Sequence, residues 1–195
     1  MKLVLALALT LAMSGSFQWP LPEGWKQETI PFPLGFAPDL PYQGVEELRF
    51  SPGMFKPDQA DYWSYAFVWW LEGRPALGAT ELSSALQRYF AGLSTSVAQD
   101  KDLPIDAAKI EASVHAVARP RRKLGHAVSA FAGTVESYDA FVTGKPITLH
   151  VDVWVWDCDR SGKRAVMVLA SPKPASAPTW RALRDRRDAF VCHER

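Results

Sequence analysis

Residues 62–71 read YWSYAFVWWL and carry the strongest strand signal in the chain. Because side chains alternate between the two faces of a strand, one face of this segment receives Trp63, Tyr65, Phe67, Trp69 and Leu71. The other face receives Tyr62, Ala66, Val68 and Trp70. A strand that is apolar or aromatic on both faces is typical of the centre of a covered sheet. The segment therefore predicts a sheet with further structure packed against each side.

The flanking sequence predicts six further strands and two helices. The strands are expected at residues 26–30, 45–50, 109–118, 126–138, 147–157 and 163–170, separated by turns rich in Gly and Pro. Apolar side chains recur at helical spacing over 80–98, and a second helix is expected over 179–192. Short connections favour antiparallel pairing, so the predicted class is α+β: a central antiparallel sheet of about six to seven strands covered by helices, an α/β/α sandwich.

The first sixteen residues predict a secretory signal peptide. Lys2 precedes an apolar run over 3–13, and Ser14, Gly15 and Ser16 supply the small residues that signal peptidase requires. The run is too short to span a bilayer about 30 Å thick, and no second run is long enough, so no membrane span is expected. We expect cleavage after Ser16, a single domain over 17–195, and a secreted or periplasmic location.

The charge balance gives no indication of a nucleic-acid partner. The chain of 195 residues has 22 Lys and Arg against 21 Asp and Glu, and loss of Lys2 with the signal peptide would balance them. A balanced chain has no overall field to attract nucleic acid or an anionic membrane.

The chain contains two cysteines, Cys158 and Cys192. An even number in an exported protein favours a disulfide, and two buried free thiols are the alternative. The chain has neither CxxC nor a zinc-type spacing. No cofactor or metal is predicted, because GxSxG, HExxH, P-loop and Rossmann signatures are also missing.

The segment 147–157 holds the candidate site residues. One face of this predicted strand is aliphatic, whereas the other carries His150, Asp152, Trp154 and Trp156. Asp152 could orient the His150 imidazole for acid–base chemistry, and the two indoles could form a floor on which a ring or sugar stacks. The alternative is a sheet face whose aromatics pack under a helix.

The following turn also raises a weak calcium hypothesis. Asp157, Asp159, Ser161 and Gly162 resemble the opening of a calcium loop. Position twelve of that loop would be Val168 instead of a carboxylate, so a polar hairpin turn is the stronger interpretation.

Three runs, GVEELRF at 44–50, SPGMF at 51–55 and DYWSYAFVWWLEG at 61–73, resemble an uncharacterised family of secreted bacterial proteins. That family has no known activity, so the resemblance implies no catalytic residue. The order of elements is similar to the compact sandwich of the Mog1/PsbP type, which implies a binding or assembly factor more often than an enzyme.

Three functions agree with these patterns. The leading expectation is a non-enzymatic binding or assembly protein with an aromatic-rich surface, whose partner is an unidentified protein, small molecule or glycan. One alternative is a small envelope hydrolase that uses His150 and Asp152. The other is a carrier in which aromatic residues line a cavity for an apolar ligand between sheet and helix.

Overall fold

The computed structural model of the protein describes residues 17–118, 128–159 and 161–192. The segment 1–16, with the predicted signal peptide, and His126, with the predicted start of its strand, lie outside these residues. Within them the chain forms β1 (Phe17–Gln18), β2 (Lys26–Pro31), β3 (Gly44–Phe50), β4 (Tyr65–Leu71), α1 (Ala79–Gln99), β5 (Glu111–Ala116), β6 (Val128–Tyr138), β7 (Pro146–Cys158), β8 (Lys163–Ser171), α2 (Thr179–Ala189) and β9 (Val191–Cys192). A 3-10 helix, Ala107–Lys109, precedes β5.

Seven of these strands form one antiparallel sheet in the order β2-β3-β4-β8-β7-β6-β5, and β1 pairs separately with β9. Strand β4 lies between β3 and β8, and all seven of its residues are buried, which confirms that 65–71 is a covered inner strand. The strand begins at Tyr65 instead of residue 62. Trp63 has a φ of 52°, a left-handed conformation that a strand cannot contain, and the chain turns there.

The two helices pack against opposite faces of the sheet. Leu82, Leu86 and Tyr89 of α1 join the core on the face that carries Tyr65, Phe67 and Trp69. Trp180 and Leu183 of α2 join the core on the face that carries Ala66, Val68 and Trp70. The helices cover the sheet only in part. The structure therefore confirms an antiparallel sheet within an α+β chain, but not a complete α/β/α sandwich.

The predicted terminal helix over 179–192 is wrong at its end. Helix α2 stops at Ala189, and Phe190 adopts an extended conformation. The Phe190 ring then packs against Phe17 and Trp156, and residues 191–192 pair with β1. The predicted disulfide is confirmed: Cys158 at the end of β7 is bonded to Cys192 in β9.

Among the described residues, neither helix combines the length and the apolar composition that crossing a bilayer would require.

Candidate ligand-binding cavity

The predicted site on β7 has the expected alternation, but its aromatics are not accessible. Trp154 is 5% exposed and Trp156 is 2% exposed, and both belong to the core under α2. The Arg187 guanidinium lies 4.2 Å from the centroid of the Trp154 ring, and the Trp156 N–H donates to the sulfur of Cys192 at 3.4 Å. Helix α2 and strand β9 therefore occupy the space where a ligand would stack. Trp154 and Trp156 form part of a packed core and not the predicted stacking surface.

The titratable pair on the same strand differs in accessibility. His150 is partly exposed, whereas Asp152 is 8% exposed and engaged in an interaction of its own. Both side chains project from the sheet face that carries Trp154 and Trp156, which is the face covered by α2.

The acidic hairpin turn after β7 is held by ion pairs. Arg164 contacts Asp157 at 2.7 Å, and Arg74 contacts Asp159 at 3.0 Å. In the described ranges, no group of three or more His, Cys, Asp or Glu side chains is arranged to hold a metal ion.

A cavity of about 600 Å³ lies on the opposite face of the sheet, between α1 and the strands β2, β3 and β4. Seven aromatic rings line it: Phe36, Phe50, Phe55, Trp63, Tyr65, Tyr89 and Phe141. Exposed Lys26 and Gln27 lie at its open end along the edge strand β2, whereas Leu48, Met54 and Tyr89 at the inner end are buried. The cavity is therefore a deep aromatic cleft that is accessible from the sheet edge.

The position of α1 explains this cleft. The helix makes its main contacts with β5 and β6, and it covers the β2–β3 end of the same sheet face only in part, through side chains such as Tyr89 and Val97. Loops from residues 32–43, 51–64 and 139–145 extend over that end instead and contribute Phe36, Phe55 and Phe141. Loop side chains cover the sheet less completely than a helix would, and space remains beneath them.

One wall of the cavity depends on a glycine in the helix. A Cβ on Gly92 would lie 2.0 Å from the carbonyl oxygen of Phe36, so only glycine allows the loop to approach α1 this closely. The approach places the Phe36 ring edge-on to Tyr89, with 5.2 Å between centroids.

The outer rim is fixed by Asp139, which is buried. Its carboxylate accepts hydrogen bonds from the Tyr62 hydroxyl, from the Trp63 N–H at 2.7 Å and from the backbone N–H of Thr143 at 2.8 Å. Burial alone would raise the pKa of Asp139, but the hydrogen bonds from Thr143, Tyr62 and Trp63 hold it below its usual value. The carboxylate thus stays ionised and keeps the 139–145 turn in place beside the cavity.

This turn also gives the cavity mouth an apolar lip. Phe141 packs against Phe55 and Trp63, with centroid distances of 5.5 and 5.6 Å. Phe55 is 41% exposed, and Val142, which follows Phe141 in the chain, is 42% exposed. The mouth of the cavity therefore presents apolar side chains to solvent.

A buried polar cluster lies beside the cavity, behind Tyr65 and Tyr89, which line it. Glu46 on β3 is fully buried, and its Oε1 accepts a hydrogen bond from the Trp69 N–H at 3.1 Å. The Tyr89 hydroxyl interacts with both Glu46 and Tyr65, and Glu46 Oε2 and the Tyr65 hydroxyl are fully shielded from solvent.

The cluster is electrostatically unusual. Burial raises the pKa of Glu46 to about 8, against the opposing effect of the Tyr89 hydroxyl and the Trp69 N–H. Burial also raises the pKa of Tyr65 and Tyr89, and a negative charge on Glu46 would raise both further. At neutral pH the cluster is therefore mainly uncharged.

Comparison of the chain with protein-family models, curated proteins and solved structures finds no match. The resemblances drawn from the sequence therefore stay predictions, and the properties of the cavity are the basis for proposing a function.

Sequence reasoning missed these residues as a site, although one alternative predicted a cavity between sheet and helix. The available signal was Glu46, an acidic residue that shares a strand face with Leu48 and Phe50. An acid on an apolar strand face indicates either a solvated edge or a buried polar group with a function.

Proposed function

We propose that the protein is a non-enzymatic binding protein for a small, largely apolar molecule, which it holds in the cavity between α1 and β2–β4. The observation that carries the proposal is the cavity of about 600 Å³ with its seven aromatic rings. Ligand sites usually fall in the range of roughly 300–1,000 Å³ and combine apolar walls with a few polar groups. The cavity has this composition.

The aromatic walls support the same conclusion. A ligand in the cleft would remove their apolar surface from water and add dispersion contacts. The aromatic lip formed by Phe55 and Phe141 adds an entry surface suited to an apolar molecule.

The location belongs to the proposal as well. A disulfide between Cys158 and Cys192 is suited to an oxidising compartment, and the sequence at 1–16 predicts export to one. We propose that the ligand is met in the periplasm or outside the cell.

The hydrolase alternative lacks comparable support. His150 and Asp152 project from the other face of the sheet and do not line the cavity. The hydrolase interpretation therefore stays a sequence prediction.

The test is a titration with N-phenyl-1-naphthylamine, an uncharged dye whose emission rises in apolar surroundings. We expect saturable binding to the wild type. Val97→Trp places an indole in the cavity from α1, because Val97 lines it, and should weaken the dye affinity by about tenfold or more.

Gln87→Trp is the matched control, since Gln87 is an exposed residue of the same helix outside the cavity lining. It should bind the dye like the wild type. Equal affinities for Val97→Trp and the wild type, with both proteins folded by thermal melt, would refute the proposal.

A further inference from the structure

We infer that the free edge of β2 binds an extended segment of a partner protein, which adds to the sheet as a further antiparallel strand. An apolar side chain of that segment then lies over the mouth of the aromatic cavity. This inference goes beyond the proposed function, because it concerns a protein partner held by the sheet edge and not the small molecule held inside the cavity.

Strand β2 is an open edge of the seven-stranded sheet. It pairs with β3 on one side only, and five of its six residues, all but Ile30, are exposed. The opposite edge strand, β5, is partly covered by α1, because the Val114 N–H donates to the Ser83 hydroxyl of that helix at 3.0 Å. Among the described residues, β2 is therefore the sheet edge that is open to a partner.

The pairing with β3 shows which backbone groups of β2 point outward. In an antiparallel pair, alternate residues direct both their N–H and their C=O to the neighbouring strand. The Phe32 N–H donates to the Gly44 oxygen at 3.0 Å, in register with the ladder, so the even-numbered residues of β2 bond to β3. The N–H and C=O groups of Gln27 and Thr29 therefore point away from β3, and they have no backbone hydrogen bond within the described part of the chain.

These outward groups fit the backbone of an extended polypeptide. Alternate residues of a strand are about 7 Å apart, so the backbone groups of a second strand recur at the spacing of Gln27 and Thr29. In strand addition, main-chain hydrogen bonds give affinity and pockets for alternate side chains give specificity. Pro31 has no N–H, so it ends the row of outward donors at one end of the edge.

The cavity supplies the pocket for a side chain. Lys26, Glu28 and Ile30 line it from β2, and the residue paired with Glu28 is Leu48, which belongs to the core on the α1 face. Directly opposite residues of adjacent strands project to the same face, so the partner residue opposite Glu28 lies over the cavity mouth. We therefore expect a large apolar side chain there, and an acidic side chain opposite the exposed cation Lys26.

A second copy of the chain fits this edge less well. Antiparallel pairing of two β2 strands uses all of the outward groups only when Gln27 of each copy faces Thr29 of the other. That register sets Glu28 directly opposite its own counterpart, and like charges in this position are destabilising. A partner with an apolar residue at that position avoids the repulsion.

The experiment measures the fluorescence anisotropy of a labelled peptide, Val-Thr-Phe-Thr-Glu between terminal glycines, whose residues would face Ile30 back to Lys26 in that order. We expect saturable binding to the wild type. In this register the N–H groups of both threonines point to β2, whereas the N–H of the phenylalanine points to solvent. Methylation of the second threonine nitrogen should therefore weaken binding about tenfold or more, and methylation of the phenylalanine nitrogen should leave the affinity nearly unchanged.

Two variants at one position assign the binding to the edge. Thr29→Pro removes an outward N–H, which proline on an edge strand does without loss of a hydrogen bond to β3, and should weaken peptide binding about tenfold or more. Thr29→Val is the matched control. It loses the same side-chain hydroxyl, which donates to Glu47 at 2.6 Å, but keeps the N–H and should bind the peptide like the wild type.

Dye binding separates this inference from the proposed function. Thr29 does not belong to the cavity lining, so both variants should bind N-phenyl-1-naphthylamine like the wild type. A thermal melt of each variant shows that it is folded, and the methylated peptides test the same hydrogen bonds on the unmodified protein.

A wild type that binds the dye but not the peptide would overturn this inference and leave the proposed function standing. Equal effects of the two methylations, or a folded Thr29→Pro protein that binds the peptide as tightly as Thr29→Val, would also overturn it. A dimer in sedimentation that Thr29→Pro abolishes would assign the edge to a second copy instead. Peptide binding that depends on the threonine N–H, in a protein that does not bind the dye, would support this inference and overturn the proposed function.

Discussion

At the scale of single residues, the buried carboxyl of Glu46 couples the stability of the fold to pH. The pKa of its carboxyl is about 8 in the folded chain, because of burial, against an ordinary value of 4.5. Below pH 4.5 both states are protonated and the group has no effect. Between pH 4.5 and about 8 the folded state holds a proton that the unfolded state has released, so the free energy of unfolding falls as the pH rises.

We therefore expect Glu46→Gln to be about as stable as the wild type near pH 4 and more stable near pH 9. The difference should grow through the interval between the two pKa values and reach at most about 5 kcal/mol. Urea unfolding at several pH values measures it. Parallel stability profiles for the two proteins would show that Glu46 titrates normally in the fold.

At this scale the sequence predicted periodicity well and burial poorly. The alternation on β7 correctly placed His150, Asp152, Trp154 and Trp156 on one face, but alternation cannot tell what covers that face. On β3, Glu46 and Glu47 are adjacent and therefore point to opposite sides. Only the tertiary arrangement shows that Glu46 is buried.

At the scale of elements, helix α1 shows what local pattern determines. Its observed bounds, Ala79–Gln99, differ from the predicted 80–98 by one residue at each end, because apolar spacing and its first-turn acid Glu81 are local signals. Helix α2 ends three residues early for a reason outside its own sequence. The place of Phe190 and β9 is set by their contacts with β1 and β7.

Gly92 is the point at which α1 departs from a standard helix. Alanine normally stabilises a helix interior by about 1 kcal/mol relative to glycine. Here the added Cβ would lie 2.0 Å from the Phe36 backbone oxygen, so Gly92→Ala should instead destabilise the protein by roughly 1–3 kcal/mol. It should also weaken dye binding, because it displaces the Phe36 wall.

Thermal melts and dye titrations check this prediction against Gly35→Ala. A Cβ at Gly35, in the same loop as Phe36, would meet no atom within 4 Å, so this variant should be close to neutral. A stabilised Gly92→Ala protein would show that the Phe36 loop is not in close contact with the helix at this position.

At the scale of the whole molecule, the sheet separates two cores with different roles. The core under α1 contains the cavity, whereas the core under α2 is closed by β1, β9 and the disulfide. The sequence predicted an antiparallel sheet but not its order, because β4 pairs with β8 across more than ninety residues. Local pattern contains no information about such distant pairing, so it could not predict that α1 would cover the β2–β3 end only in part.

The separation of the two cores leads to a prediction for the disulfide. Replacing both cysteines, as Cys158→Ser with Cys192→Ser, removes a cross-link between residues 34 apart in the chain. The unfolded chain then gains conformational freedom, and we expect a loss of roughly 3–4 kcal/mol in the free energy of unfolding.

The same double variant should bind N-phenyl-1-naphthylamine with unchanged affinity while it remains folded, because the bridge closes the α2 face and the cavity lies on the α1 face. Urea unfolding gives the stability, and dye titration without denaturant gives the affinity. Addition of a reductant to the wild type should reproduce both results, which separates loss of the bond from the effect of the new serines. A folded double variant that no longer bound the dye would show that the two faces are coupled through the sheet, and that the bridge at β7 and β9 helps to shape a cavity on the opposite side.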